Sequence, residues 1–208
     1  ATRSSVGLGN ILTGLTVLGC YLLVRRPVRY AMALATLLIF TTLFRHAESP
    51  VIERDRNFFG VLRVVDDADN PLRRLYHGTT IHGIQSRLPE KKCEPSSYYH
   101  REGPVAQISA LFAASELPPR IGLVGLGAGA MLTYSRPGEV WTIYEIDPAV
   151  VRVAEDPRFF TYLRDCTPAK YQIELGDARL RLQSAPAGHY GLIYIDAFSS
   201  DVIPMHLL

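Results

Sequence analysis

Scarcity marks this 208-residue chain: three cysteines, one tryptophan, six histidines and almost no net charge. Cys20, Cys93 and Cys166 lie far apart, with no C-x-x-C spacing and no clustered histidines beside them. That argues against a disulfide framework and a structural zinc site, and it fits a reducing compartment. The 22 Lys+Arg and 20 Asp+Glu leave a formal charge of +2. Such a balance excludes a basic nucleic-acid coat and an acidic disordered tail, so no nucleic-acid partner is expected. Internal repeats and low-complexity tracts are missing too. What is present, 48% hydrophobic and 20% charged residues, suffices for a packed core and one or two domains. Ala1 in place of Met, and an end at His206-Leu207-Leu208 without a closing element, read as a piece of a longer protein.

Charge is nearly absent from residues 6–44, where only Arg25, Arg26 and Arg29 carry it. They divide two apolar stretches, about 6–24 and 28–44. At 1.5 Å per residue the first is long enough for a hydrocarbon core of about 30 Å, and the second is marginal. Gly7, Gly9, Gly14 and Gly19 permit close helix approach in lipid. Neither stretch has a polar face or a small-residue cleavage site, so residues 1–45 are expected to form a transmembrane helical hairpin in contact with membrane lipid. Its orientation is open: the arginine loop argues for one side, and Arg45, Arg54, Arg56 and Arg63 argue for the other.

Residues 46–102 read as a linker and a small antiparallel β unit, with strand patterns over 58–65 and 73–85 around a turn-rich 66–71. Residues 103–208 alternate strand and helix: strands over 121–125, 140–146, 171–175 and 191–195, and helices over 128–135, from Pro148, and over 178–183. The expected fold is α/β, a doubly wound, mostly parallel sheet carrying a nucleoside-binding site.

In an open parallel sheet a ligand lies beyond the carboxyl ends of the strands. The first strand ends in Gly125-Leu126-Gly127-Ala128-Gly129, where missing Cβ atoms let the backbone approach a ligand. The second ends in Tyr144-Glu145-Ile146-Asp147. Glu145 follows Gly125 by 20 residues, the separation at which an acid can accept from ribose hydroxyls. Asp147, before Pro148, also suits a helix start. The third and fourth strands end in Asp177 and Asp196. A glycine turn and three strand-end acids converge on one crevice. His77, His82 and His100 lack ligand spacing, so no metal is expected.

These segments resemble the spermidine synthase (polyamine aminopropyltransferase) family. They are Gly125-Leu-Gly-Ala-Gly129, Tyr144-Glu-Ile-Asp-Pro148, Leu175-Gly-Asp-Ala-Arg179 and Tyr194-Ile-Asp-Ala-Phe-Ser-Ser-Asp201, preceded by His77-Gly-Thr-Thr-Ile-His-Gly-Ile-Gln85 and Ser97-Tyr-Tyr-His100. The closest resemblance is to the bacterial branch fused behind membrane helices, over roughly residues 58–208. It implies a fold shared with S-adenosylmethionine-dependent methyltransferases, and decarboxylated S-adenosylmethionine (or S-adenosylmethionine) as co-substrate. It further implies a small-molecule amine acceptor and the bacterial inner membrane, with the catalytic domain on the cytoplasmic side, and it leaves a homo-oligomer open. By the same resemblance Gln85, Gly125, Gly127, Gly129, Glu145, Asp147 and Asp177 bind the nucleoside, Tyr99 and Asp201 line the amine site, and Asp196 accepts the amine's proton.

The sequence also departs from that pattern. Ala128 stands where an aspartate commonly binds the donor's amine; Pro95-Ser96-Ser97 replaces an acidic pair; Arg101 stands where a glutamate commonly follows, with Glu102 one place on; and Ser199 replaces the usual second aspartate, with Asp201 two places on. These losses argue against ordinary putrescine specificity. They keep two other readings open: methyl transfer from S-adenosylmethionine, and a non-catalytic nucleoside-sensing domain regulating a membrane partner.

Overall fold

The computed structural model describes residues 19, 21–23, 25–43 and 49–197. The chain divides into two units, Ala1–Glu48 and Ser49–Leu208. In the first, helix α1 (Pro27–Leu43) starts at a proline, whose missing N–H is harmless in a first turn. The expected membrane hairpin is not found: no helix among the described residues is long and apolar enough to cross a membrane. α1 has 17 residues, a rise of about 26 Å against a hydrocarbon core of about 30 Å. The first apolar stretch lies mostly outside the described residues. A membrane localisation, and with it the placement at a bacterial inner membrane, is therefore not supported.

The second unit holds two separate sheets. Strands β1 (Val51–Asn57), β2 (Gly60–Asp66), β3 (Leu72–His77) and β4 (Thr80–Ser86) pair antiparallel in that order. β2 to β4 alternate in sequence and bury Leu62, Val64 and Leu75 on one face. β1 adds a strand that hydropathy does not signal. Its half-buried Glu53 and Asp55 both accept from Arg152, at 3.1 and 2.9 Å, a partner almost a hundred residues away.

Strands β5 (Arg120–Val124), β6 (Val140–Glu145), β7 (Lys170–Leu175) and β8 (Leu192–Ile195) form a parallel sheet in the order β7-β6-β5-β8. The mostly apolar runs Ile121–Val124 and Trp141–Tyr144 are buried throughout, as central parallel strands require. Val124 lies beside Tyr144 on one side and Ile195 on the other, so the carboxyl ends share one edge.

This is not clearly the doubly wound sheet that the alternation predicted, nor the methyltransferase-type fold that the resemblance implied. The connection from β5 to β6 runs through a short 3-10 segment, Ala130–Tyr134, where an α-helix over 128–135 was expected. The remaining helices are short: α2 (Pro104–Ala113), α3 (Pro148–Glu155), α4 (Tyr162–Asp165) and α5 (Ala178–Gln183). α3 buries Ala149, Val150, Val153 and Ala154, whereas α5 buries Ala178 and α2 buries no residue. One face of the sheet is thus packed into the main core with Phe160, Tyr162 and Leu132. The other holds a cluster of Val124, Tyr144 and Ala178, and Ile193 and Ile195 stay exposed.

A second correction concerns the cysteines. Cys93 and Cys166, 73 residues apart in sequence, form a disulfide. Sequence spacing could not show it, because the fold alone brings the loop after β4 to the end of α4. The reducing environment inferred from spacing loses its basis with it.

Candidate active site

The glycine turn after β5 is a left-handed backbone held between two strands. Gly125, Gly127 and Gly129 have φ of 95°, 53° and 88°, values that L side chains rarely adopt. A Cβ at Gly125 would lie 2.5 Å from the carbonyl oxygen of Asp196, and one at Gly127 would lie 2.4 Å from that of His82. The turn is thereby locked to the end of β8 and to β4. Ala128, 1% exposed, directs its Cβ at Gly83 of β4. A Cβ on Gly83 would come within 2.3 Å of it.

Glu145 ends β6 and closes the turn from the other side. Its Oε2 accepts from the Leu126 N–H at 2.9 Å, and its Oε1 accepts from the Ile146 and Asp147 N–H groups at 2.8 and 2.9 Å. Burial pushes its carboxyl up, opposed by these three donors. Asp147 is 2% exposed and caps α3 through the Ala149 N–H while also accepting from Asn57 at 2.6 Å. Its Oδ2 is buried and has no partner. Asp177 caps α5 through the Arg179 N–H at 2.8 Å.

At the opposite side of the turn, Tyr99 donates its hydroxyl to Oδ2 of Asp196. Burial raises the Asp196 carboxyl to about 6, with the Tyr99 hydrogen bond holding it down in part. Burial, together with the Asp196 charge, keeps Tyr99 neutral far above its ordinary range. The pair is a buried carboxyl held above its ordinary range and a phenol hydrogen-bonded to it. Tyr98 meets Tyr99 edge-on at 4.6 Å and donates to the Ile81 carbonyl at 2.9 Å, and Tyr134 donates to the Tyr99 carbonyl.

The structure therefore brings Gly125, Gly127, Gly129, Glu145, Asp177 and Asp196 to one sheet edge, but their hydrogen bonds divide them. Glu145 serves the glycine turn, Asp177 its own helix, and Asp196 faces Tyr99. Gln85, 4% exposed, spends its amide on Thr161 and on the Lys92 carbonyl, at 2.9 to 3.1 Å. Asp201 lies outside the described residues. A groove lined by Phe112, Leu117, Arg136 and Glu139 sits at the starting ends of β5 and β6 and includes none of these acids.

Over 96 residues the chain is 34% identical to a polyamine aminopropyltransferase of Vibrio vulnificus (strain CMCP6). The likeness supports a spermidine-synthase-like relationship. The match takes in 44% of this chain and 30% of that protein, so the chain spans under a third of its relative's length. No family model matches the chain.

Sequence reading assigned no role to several residues that shape this site. Tyr134 and Tyr98 hold the Tyr99 arm, Asn57 reaches Asp147 from β1, and Gly83 makes room for Ala128. Gly83, between His82 and Ile84 in a strand, was the one available signal, because a glycine inside a strand often marks close backbone approach.

Proposed function

We propose that the chain carries the catalytic edge of an aminopropyltransferase, moving an aminopropyl group from decarboxylated S-adenosylmethionine to a small amine. The observation that carries this reading is the Tyr99–Asp196 contact beside the glycine turn, with the 34% likeness to a polyamine aminopropyltransferase in support.

The chemistry asks little of the protein beyond placement and a base. The amine nitrogen attacks the carbon next to the sulfonium, the C–N bond forms as the C–S bond breaks, and methylthioadenosine leaves as a neutral thioether. An alkylamine of pKa near 10 is mostly protonated at neutral pH and cannot attack until it loses a proton. Asp196 is the acceptor. Raising its carboxyl to about 6 narrows the mismatch with the amine from about six pH units to about four. Tyr99 aims the carboxylate, and holding nitrogen, carbon and sulfur in line supplies most of the remaining acceleration.

On the donor side Glu145, whose Oε2 accepts a single N–H, and Asp177 farther along the edge offer the ribose and adenine contacts beside the glycine turn. Gln85 is given no nucleoside contact here, because its amide is already spent inside the protein. Asp147 stiffens the turn from behind as a helix cap.

A second reading is methyl transfer from S-adenosylmethionine. Ala128 favours it, since its side chain packs on Gly83 and presents no carboxylate to a donor ammonium. Calorimetry with the two donors decides between them. The aminopropyl reading expects the decarboxylated donor to bind more tightly and to release methylthioadenosine in the presence of an amine. Preference for the carboxylated donor with no such release would reject it.

A further inference from the structure

Cys93 and Cys166 sit where three parts of the candidate site are fastened together. Between β4 and Tyr99 the chain runs along α4, and the contacts between the two are dense. Tyr162 donates to the carbonyls of Ile84 and Glu94, Lys92 pairs with Asp165 at 2.9 Å, and Gln85 holds Thr161. α4 in turn presses on the glycine turn, since a Cβ at Gly129 would meet Leu163 at 3.1 Å. The disulfide lies in the middle of this seam.

Four residues after Cys93, Ser97 is the single non-glycine residue with positive φ among those described, at 60°. It opens the 3-10 turn Ser97–Tyr99, which delivers Tyr99 to Asp196. A left-handed serine persists only where its surroundings impose it. Upstream of it the Ser96 hydroxyl donates to the Ile84 carbonyl at 3.1 Å, and the covalent anchor is Cys93.

We propose that Cys93–Cys166 is a thiol–disulfide exchange site, and that its state sets how firmly the Tyr99 arm is held against Asp196. Both cysteines are half-buried, Cys166 against the edge of the core, and exchange requires a reductant to reach the pair. The co-reactant is a dithiol. One of its thiolates attacks the sulfur of one cysteine, and the other cysteine leaves as a thiolate and takes up a proton. The reductant's second thiolate then attacks its own first sulfur, breaking the mixed disulfide; the first cysteine leaves as a thiolate and takes up a proton, so the cysteine pair ends as two thiols and the reductant as a disulfide, with two electrons transferred. Oxidised, the arm is pinned to α4; reduced, it depends on the hydrogen bonds and the Lys92–Asp165 pair alone. The consequence for turnover rests on the transferase reading above, whereas the mechanical consequence does not.

Hydrogen–deuterium exchange on the whole chain separates the two. The oxidised protein is compared with protein treated with dithiothreitol, with thiols titrated in denaturant to confirm that reduction exposes two more. Reduction is expected to speed exchange in residues 91–99 about tenfold or more, to leave β5 and β6 within about twofold, and to reverse on reoxidation. Equal exchange in the two states, no gain of two thiols, or a uniform rise across the whole chain would each overturn the proposal. Cys93→Ser should match the reduced state; if it does not fold, reduction of the wild-type chain decides alone. Methylthioadenosine release should fall severalfold on reduction. Equal release in both states overturns the link to Tyr99, while no release in either state counts against the transferase reading and leaves the exchange result to judge the clamp.

Discussion

Tyr99 donates its hydroxyl to a carboxyl 97 residues further along the chain, that of Asp196. The contact joins the segment after the antiparallel sheet to the end of β8, and it moderates the protonation behaviour of the acid. Burial drives the Asp196 carboxyl up and the phenol draws it part of the way back. Tyr99→Phe removes only the second influence. The acid limb of the pH–rate profile, expected at about 6 in the parent, should therefore move to higher pH in the variant. A limb that stays in place, or moves down, would separate the limb from Asp196.

The same carboxyl makes a prediction about stability. Its ordinary value is 3.8 and its native value about 6, so between those limits the native state holds a proton that the unfolded chain releases. The stabilisation from Asp196 is complete below about pH 4 and is lost as pH rises through about 6. Urea unfolding of the parent and Asp196→Asn should show a stability difference that shifts against the parent from pH 4 to 6 and is flat above about pH 7. A difference that shifts in the parent's favour over that range would contradict the assigned burial.

Part of this arrangement is legible in the sequence. β5 and β6 announce themselves because central parallel strands are buried on both faces, and their apolar runs need no distant partner. The glycine turn is equally plain, since three glycines within five residues have few uses other than left-handed backbone. β1 is not legible: Glu53, Arg54, Asp55 and Arg56 look like a solvated charge run until Arg152 supplies the partner for both acids. The disulfide, the engaged amide of Gln85 and the contact of Ala128 with Gly83 also depend on pairings far apart in sequence. The apolar stretch over 28–44 misled for a different reason, because low charge in a helix does not say what, if anything, covers it.

The packing of Ala128 bears on the missing donor aspartate. Restoring it with Ala128→Asp would drive a carboxylate into β4, against a glycine with no room to give. The variant should lose about 1–3 kcal/mol from overpacking, with a further loss from the buried charge, and should not gain affinity for the decarboxylated donor. Gly83→Ala should destabilise by a similar first amount, about 1–3 kcal/mol, by pressing on the same atom. Denaturant unfolding and calorimetry check both, and a stable Ala128→Asp with tighter donor binding would show that residue 128 faces the ligand.

Glu145 offers a contrast, because its carboxylate accepts from three backbone N–H groups at once. Glu145→Gln replaces one accepting oxygen with a donor that meets an N–H head-on. A loss of about 1–3 kcal/mol is expected, with weaker donor binding as the glycine turn loosens. Unchanged stability would mean that the turn holds its shape without this acid.

The most direct test is methylthioadenosine release from decarboxylated S-adenosylmethionine across a panel of small amines, comparing the parent with Asp196→Asn. Release with at least one amine, falling about a hundredfold or more in the variant, is the predicted result. A folded parent that yields none with any amine, or a variant as fast as the parent, would contradict the assignment of Asp196 as the proton acceptor.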